Sequence, residues 1–209
     1  MPLIAHIEVQ EDTAIALWKV KADERPPATS QRENPTSGNT AKKAVEKRER
    51  ERLGVHHCLE QLGLYKRIRY TPKGKPYLNR GPHISISHGA DKAAVISSRK
   101  RRVGIDIDRR RTKILKIEPK FIGESERAFI PIQDRVDYLH VIWGAKESLY
   151  KLCGGERPLS FQENMRVAPF ALAEKGRFAC AVQKEDFYEG FEGFYQRIED
   201  SYLVYCLAL

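Results

Sequence analysis

HISISHGADKAAVISSRKRRVGIDID, residues 83–108, is a run of three short apolar-rich segments separated by two polar breaks. In the first, Ile84 and Ile86 alternate with Ser85 and Ser87; in the last, Val103, Ile105 and Ile107 alternate with Gly104, Asp106 and Asp108. Successive side chains leave a strand on opposite faces. HISISH, KAAVISS and VGIDID therefore read as strands, with HGAD and RKRR between them. YKRIRY and the Gly/Pro turn of TPKGKP stand in front of them, and the whole is expected to form an antiparallel meander.

Working outward, residues 3–20 alternate loosely and predict two opening strands joined near Glu11 and Asp12. Lys21 to Thr40 is polar and broken by Pro26, Pro27, Pro35 and Gly38, and is expected to be a mobile loop. AKKAVEKRERERLGVHHCLEQLG (41–63) keeps Val45, Arg52, Val55, Leu59 and Leu62 near helical spacing and stops at Gly63. Lys113 to Phe121 is a weaker helix candidate interrupted by Pro119, and a strong helix runs from Asp134 to Gly154. MRVAPFALA, GRFACAVQK and YLVYCLAL return to strand patterns. Strands, a helix and strands thus occur twice without a sequence repeat, and the fold class is α+β.

The chain has 209 residues, 41% of them hydrophobic, and a net charge of +9. That apolar content excludes disorder of the whole chain, and the charge points to acidic partners. Cys58, Cys153, Cys180 and Cys206 form no CxxC pair, so reduced structural thiols are expected. No apolar run approaches a membrane span and the first residues lack a basic n-region with an apolar core. A soluble cytoplasmic protein is expected.

Three groups of residues carry candidate chemistry. The alternation of VGIDID puts Asp106 and Asp108 on one face, their α-carbons roughly 6.6 Å apart. Two such carboxylates raise each other's pKa unless a cation neutralises them; the alternative is a solvated strand end with Arg109, Arg110 and Arg111 as counterions. On the helix from Asp134, His140, Gly144, Glu147 and Lys151 share a stripe, while Val136, Leu139, Trp143 and Tyr150 form an apolar stripe expected to pack on the sheet. Glycine costs a helix interior about 1 kcal/mol relative to alanine, so Gly144 signals close approach of another group. Glu147 and Lys151 can equally be a helix-stabilising pair. The third group is Gly74, Lys75 and Pro76 with Ser85, Ser87 and His88, where hydroxyl, imidazole and ammonium groups suit phosphate oxygens.

GKPYL, ISISH, VGIDID and WGAKESLYK, in this order, resemble the 4'-phosphopantetheinyl transferases, specifically the longer type that activates surfactin synthetase. Trp143 to Lys151 matches the family's W-x-x-K-E-x-x-x-K signature, and 41 residues separate Asp106 from Glu147. The resemblance implies two similar α+β halves related by a pseudo-twofold, here 1–102 and 103–209, with the active site between them. It implies transfer of the phosphopantetheine arm of coenzyme A to a serine of an apo acyl or peptidyl carrier protein, releasing adenosine 3',5'-bisphosphate. Asp106, Asp108 and Glu147 match the acids that hold magnesium. Asp108 is one methylene shorter than the Glu of many relatives, so manganese is an alternative ion. Glu147 matches the general base; Lys151 and His88 match groups that stabilise the pyrophosphate. Gly74, Lys75 and Pro76 would hold the adenine and 3'-phosphate region, Ser87 the phosphates, and Arg50, aligned through RERLG, the 3'-phosphate, with Arg48 and Arg52 as competitors. A monomer is expected. The rival from another class is a basic nucleic-acid-binding protein without catalysis, motivated by KKAVEKRERER, SRKRR and DRRRTK; the interrupting Glu46, Glu49 and Glu51 and the lack of an aromatic RNA motif weigh against it.

Overall fold

The computed structural model describes residues 3–21, 39–64, 68–89, 91–153, 158–185 and 187–209, with the backbone alone for 39–44. The opening strands form as expected: β1 (Leu3–Gln10) and β2 (Thr13–Lys19) are an antiparallel pair turning at Glu11 and Asp12. Helix α1 (Asn39–Gln61) follows, and Gly63 takes the left-handed φ of 67° that ends a helix. The expectation for 21–40 falls almost wholly outside the described residues. β3 (Ile68–Tyr70) and β4 (Pro76–Leu78) form a small hairpin. β5 (His83–Gly89) and β6 (Lys92–Ser98) form another, and β6 also pairs with β2. The first large sheet has the order β1-β2-β6-β5.

β7 (Val103–Arg109) leaves that sheet. It pairs antiparallel with β11 (Ser201–Ala208) at the edge of a second sheet, whose order is β7-β11-β10-β9-β8. The single meander expected over 83–108 is therefore two sheets. The reason is that the apolar face of VGIDID has a better partner than β6's backbone. Val103, Ile105 and Ile107 pack with Leu203, Leu207 and Ile198 of their own sheet, and with Ile15, Leu17, Ala94 and Ile96 of the first. Burying one such aliphatic side chain stabilises the fold by roughly 1.5–3 kcal/mol. The two sheets thus lie back to back.

Each sheet's outer face carries one long helix. Cys58 and Leu59 of α1 pack on Ala16, Trp18, Ala93 and Val95. Across the sandwich, α3 (Arg135–Cys153) covers Val204, Cys206 and Tyr202. The weak helix candidate at 113–121 is two 3-10 turns, Thr112–Lys116 and Glu118–Lys120, followed by the single-turn α2 (Glu124–Arg127). β8 (Met165–Val167) and β9 (Lys175–Lys184) match the expected strands. β10 (Phe187–Ile198), at 12 residues the longest strand described, was not anticipated.

The face of α3 that meets the sheet is also a correction. A β-carbon on Gly144 would come within 2.6 Å of a Val204 methyl, and one on Gly104 would run into the Ser148 carbonyl. The stripe containing Gly144 and Ser148 is therefore the sheet-facing one. Trp143 and Tyr150 turn sideways onto Phe121 and Phe161, and Tyr150 is 45% exposed. Gly144 does mark a close approach; its neighbour is the sheet.

An ion-pair cluster joins the two sheets at one end. Asp200, in the β10–β11 turn, meets Lys92 of β6 at 2.9 Å and Arg109 of β7 at 2.6 Å. The Lys92 hydrogen bond leads the interactions that hold the Asp200 carboxyl down at about 2. A depressed carboxylate pKa contributes stability above its unfolded value and loses it as pH falls through the folded one. Asp200→Asn is accordingly expected to lower the urea midpoint at pH 7, with the gap to wild type shrinking between pH of about 4 and about 2.

Candidate active site

The edges of the two sheets meet at β5 and β7, and side chains make the junction. Ser85 Oγ accepts the Ile105 N–H and Ser87 Oγ accepts the Ile107 N–H, both at 3.2 Å. Two backbone donors that would otherwise be buried without partners are thereby satisfied. Ser87 also donates to Asp106 Oδ1 at 2.8 Å and accepts from Lys151 Nζ at 3.0 Å. A hydroxyl has one proton and two lone pairs, so Ser87 is fully used within the protein. It fixes Asp106 and Lys151 and has no capacity left over for phosphate.

Asp106 is 8% exposed. It is not the solvated strand end that the alternative reading required. Its counterion comes from α3: Lys151 Nζ lies 2.8 Å from Asp106 Oδ1 and donates a further bond to the Ile105 carbonyl at 2.8 Å. Lys151 thus pairs across to the strand and not along its helix with Glu147. Of the three following arginines, Arg111 alone reaches Asp108, at 3.5 Å; Arg109 goes to Asp91 and Asp200, and Arg110 to Asp137. Asp108 is the more exposed acid, its Oδ1 also accepting the Arg109 N–H at 2.8 Å.

Glu147, one turn before Lys151, completes the acidic group. Burial, then the charge of Asp106, raise its carboxyl to about 7, with Lys151 opposing and Asp108 adding a smaller push. Three carboxylates in mutual electrostatic contact with one ammonium among them favour a further cation, and all-oxygen donors suit a hard divalent ion. The donor set therefore fits magnesium chemically. Among the described residues, however, the set of three metal-type donors lying within 4.8 Å of one another is His56, His57 and Glu60. Closing Asp106, Asp108 and Glu147 on one ion thus requires side-chain movement; Ser87 and Lys151 both bond Asp106 through Oδ1.

The other predicted residues lie on the far side of β5. Because side chains alternate, Ile86 and His88 point away from Ser87, into a groove of about 950 Å³. α1 supplies Arg48, Glu51, Arg52 and His56 to it, and the β3–β4 hairpin supplies Tyr70, Gly74 and Pro76. His88 Nδ1 lies 3.5 Å from Glu51 Oε2. Two predicted residues are placed elsewhere. Lys75 turns away from this groove and donates to the Leu152 carbonyl near the end of α3 at 2.9 Å. Arg50 folds back along α1 toward the Glu46 carbonyl, and Arg48 and Arg52, one helical turn apart, line the groove in its place.

The residues that bring these parts into one site, β7 and α3, belong to a span with an outside match. Residues 102–206 fit the family model described as the 4'-phosphopantetheinyl transferase superfamily. The chain belongs to that superfamily. No curated protein matches the chain. Membership carries a general role in phosphopantetheine transfer and places the chain among transferases, whose members in general use coenzyme A and a divalent metal. The span that matches the transferase family holds Asp106, Asp108, Glu147 and Lys151. The groove residues of α1 and β3–β5 precede it.

One component of the transferase scaffold was not anticipated. Lys146, the first lysine of the W-x-x-K-E signature, is fully buried with Glu126. Its ammonium donates to Glu126 Oε2 and the Phe121 carbonyl, each at 2.6 Å, and to the Phe161 carbonyl at 2.9 Å. Glu126 accepts the Gly123 and Val167 N–H groups in return. The pair ties the 112–127 segment and the 158–167 segment to the helix turn that carries Glu147. Removing one member leaves an uncompensated buried charge, so Lys146→Met is expected to cost about 3–5 kcal/mol in urea unfolding.

Proposed function

We propose that the protein transfers the 4'-phosphopantetheine arm of coenzyme A to a serine hydroxyl of an apo acyl or peptidyl carrier protein, in a magnesium-dependent reaction, as the longer surfactin-synthetase-activating transferases do. The supporting observation is the coupling of Asp106, Asp108 and Glu147 around Lys151, one strand residue away from a groove lined by basic and apolar side chains. Two sheets back to back, each with one long helix on its outer face, support two pseudo-symmetric halves, 1–102 and 103–209. With both halves in one chain, a monomer acting in the cytoplasm is the corresponding reading.

In the transfer, the serine oxygen forms a bond to the β-phosphorus while the bond to the bridging oxygen of the pyrophosphate breaks. The electron pair leaves on adenosine 3',5'-bisphosphate. Asp106, Asp108 and Glu147 would hold magnesium, which when bound supplies charge neutralisation on the pyrophosphate. Glu147 takes the serine proton as general base; burial and the charge of Asp106 raise its carboxyl to about 7 without a cation, and a bound divalent ion lowers it from there. Lys151, held by Ser87 and Asp106, exchanges the Asp106 oxygen for a pyrophosphate oxygen and steadies the departing charge. His88, 46% exposed in its side chain, would meet the part of coenzyme A that lies in the groove with Arg48 and Arg52. Arg48 and Arg52 take the 3'-phosphate role that the resemblance placed on Arg50, and Gly74 and Pro76 form the wall beside the adenine. Lys75 contributes by anchoring the hairpin to α3.

The test is incubation of the full chain with coenzyme A, magnesium and a panel of apo carrier proteins, followed by mass spectrometry of the carriers. A carrier gaining one phosphopantetheine arm is the expected result, and no gain on any carrier would refute the reading. Asp106→Ala and Glu147→Gln are expected to slow transfer by about 10²–10⁴-fold with the circular dichroism unchanged. Arg52→Ala should raise KM for coenzyme A about tenfold, as loss of one charge-assisted hydrogen bond does, while Arg50→Ala leaves it near wild type.

A further inference from the structure

We infer that His56, His57 and Glu60 form a binding site for a first-row transition-metal ion on α1, separate from the acidic group of β7 and α3. The three residues fall at i, i+1 and i+4 of a continuous helix, which brings His56 and Glu60, and His57 and Glu60, onto neighbouring positions of one surface. Both imidazoles aim the same atom at the same oxygen: His56 Nδ1 is 3.4 Å and His57 Nδ1 3.3 Å from Glu60 Oε2. All three donor atoms lie within 4.8 Å of one another, and no other such trio occurs among the described residues.

Those separations have a specific meaning. Ligand atoms at about 2.0–2.1 Å from a tetrahedral zinc ion are about 3.3–3.4 Å apart. The two nitrogen-to-oxygen edges are already at that length. Ring contacts hold the two imidazoles in place. His57 stacks on Trp18 with a centroid separation of 4.3 Å and an interplanar angle of 21°, and His56 stands at 87° to it. The side chains of His57, His56 and Glu60 are 26%, 43% and 43% exposed, while the His56 Nδ1 atom is itself shielded from solvent, so entry of an ion requires side-chain movement.

The donor chemistry selects the class of ion. Two imidazoles and one carboxylate suit Zn²⁺, Co²⁺ or Ni²⁺, whereas magnesium prefers oxygen and keeps its water. His56 also lines the groove, so the ion sits in the wall that carries Arg48 and Arg52.

Calorimetric titration of the full chain with Zn²⁺, and with Co²⁺ followed by visible absorption, tests the site. The expected result is one ion per chain at a Kd of about 10 µM or tighter, retained in excess Mg²⁺. Glu60→Gln and His56→Gln should each weaken it by about tenfold or more, and His83→Gln, which removes an exposed imidazole on β5, should leave it unchanged. Glu60 is exposed and His56 partly exposed, and circular dichroism checks folding in each case. Affinity weaker than about 100 µM, or equal affinity in Glu60→Gln and wild type, would show a hydrogen-bonded trio with no metal function and overturn the proposal.

Discussion

The junction of the two sheets and helix α3 is arranged around one buried carboxylate, Asp106, and the ammonium of Lys151 2.8 Å away. A buried charge is tolerated only when paired and hydrogen-bonded, and the network around this one draws on three elements. Ser87 comes from β5, Lys151 from α3, and the Ile105 carbonyl that also accepts from Lys151 from β7 itself. The edge of one sheet, the edge of the other and the helix covering the second are thus tied at a single point. Small residues make the approach possible: α3 lies so close to β7 and β11 that neither Gly104 nor Gly144 has room for a β-carbon.

The same closeness explains the electrostatics. Glu147 is carried by α3 into the field of Asp106 before any solvent can screen it, and burial and that charge together raise it to about 7. Lys151 offsets one negative charge of the three. The residual imbalance is the physical basis for expecting a divalent cation, and Lys146 with Glu126 keeps the neighbouring helix turn in position from the opposite side.

Much of this was legible in the sequence because the relevant signals are local. The period-two pattern of VGIDID correctly separates Ile105 and Ile107 from Asp106 and Asp108, and the opening strands, α1 and α3 follow from alternation and spacing, with Gly63 ending α1 and the expected stop at Gly154 lying outside the described residues. Pairing partners were not legible. β7 follows β6 closely in the chain yet pairs with the last strand, a choice set by apolar contacts to Leu203 and Leu207 that no short window contains. β10 escaped for a different reason: Gly193 occupies an inward position where its missing side chain makes space for the Phe178 ring, so glycine interrupts the pattern that would announce a strand. The role of Lys146 was not legible because its partner Glu126 is 20 residues away on another element. Arg48 and Arg52 replace Arg50 because position on the helix circumference, not alignment of a short motif, determines which arginine meets the groove.

The proposal that two sheet-edge aspartates and one helix glutamate act on a common divalent ion is tested most directly by Mn²⁺ binding to the full chain in the presence of coenzyme A, followed by electron paramagnetic resonance. With Glu60→Gln in the background of both proteins to remove the His56 and His57 site, the account predicts one bound ion per chain when Glu147 is present and loss of that ion in Glu147→Gln. Mn²⁺ bound equally well by both proteins would contradict it.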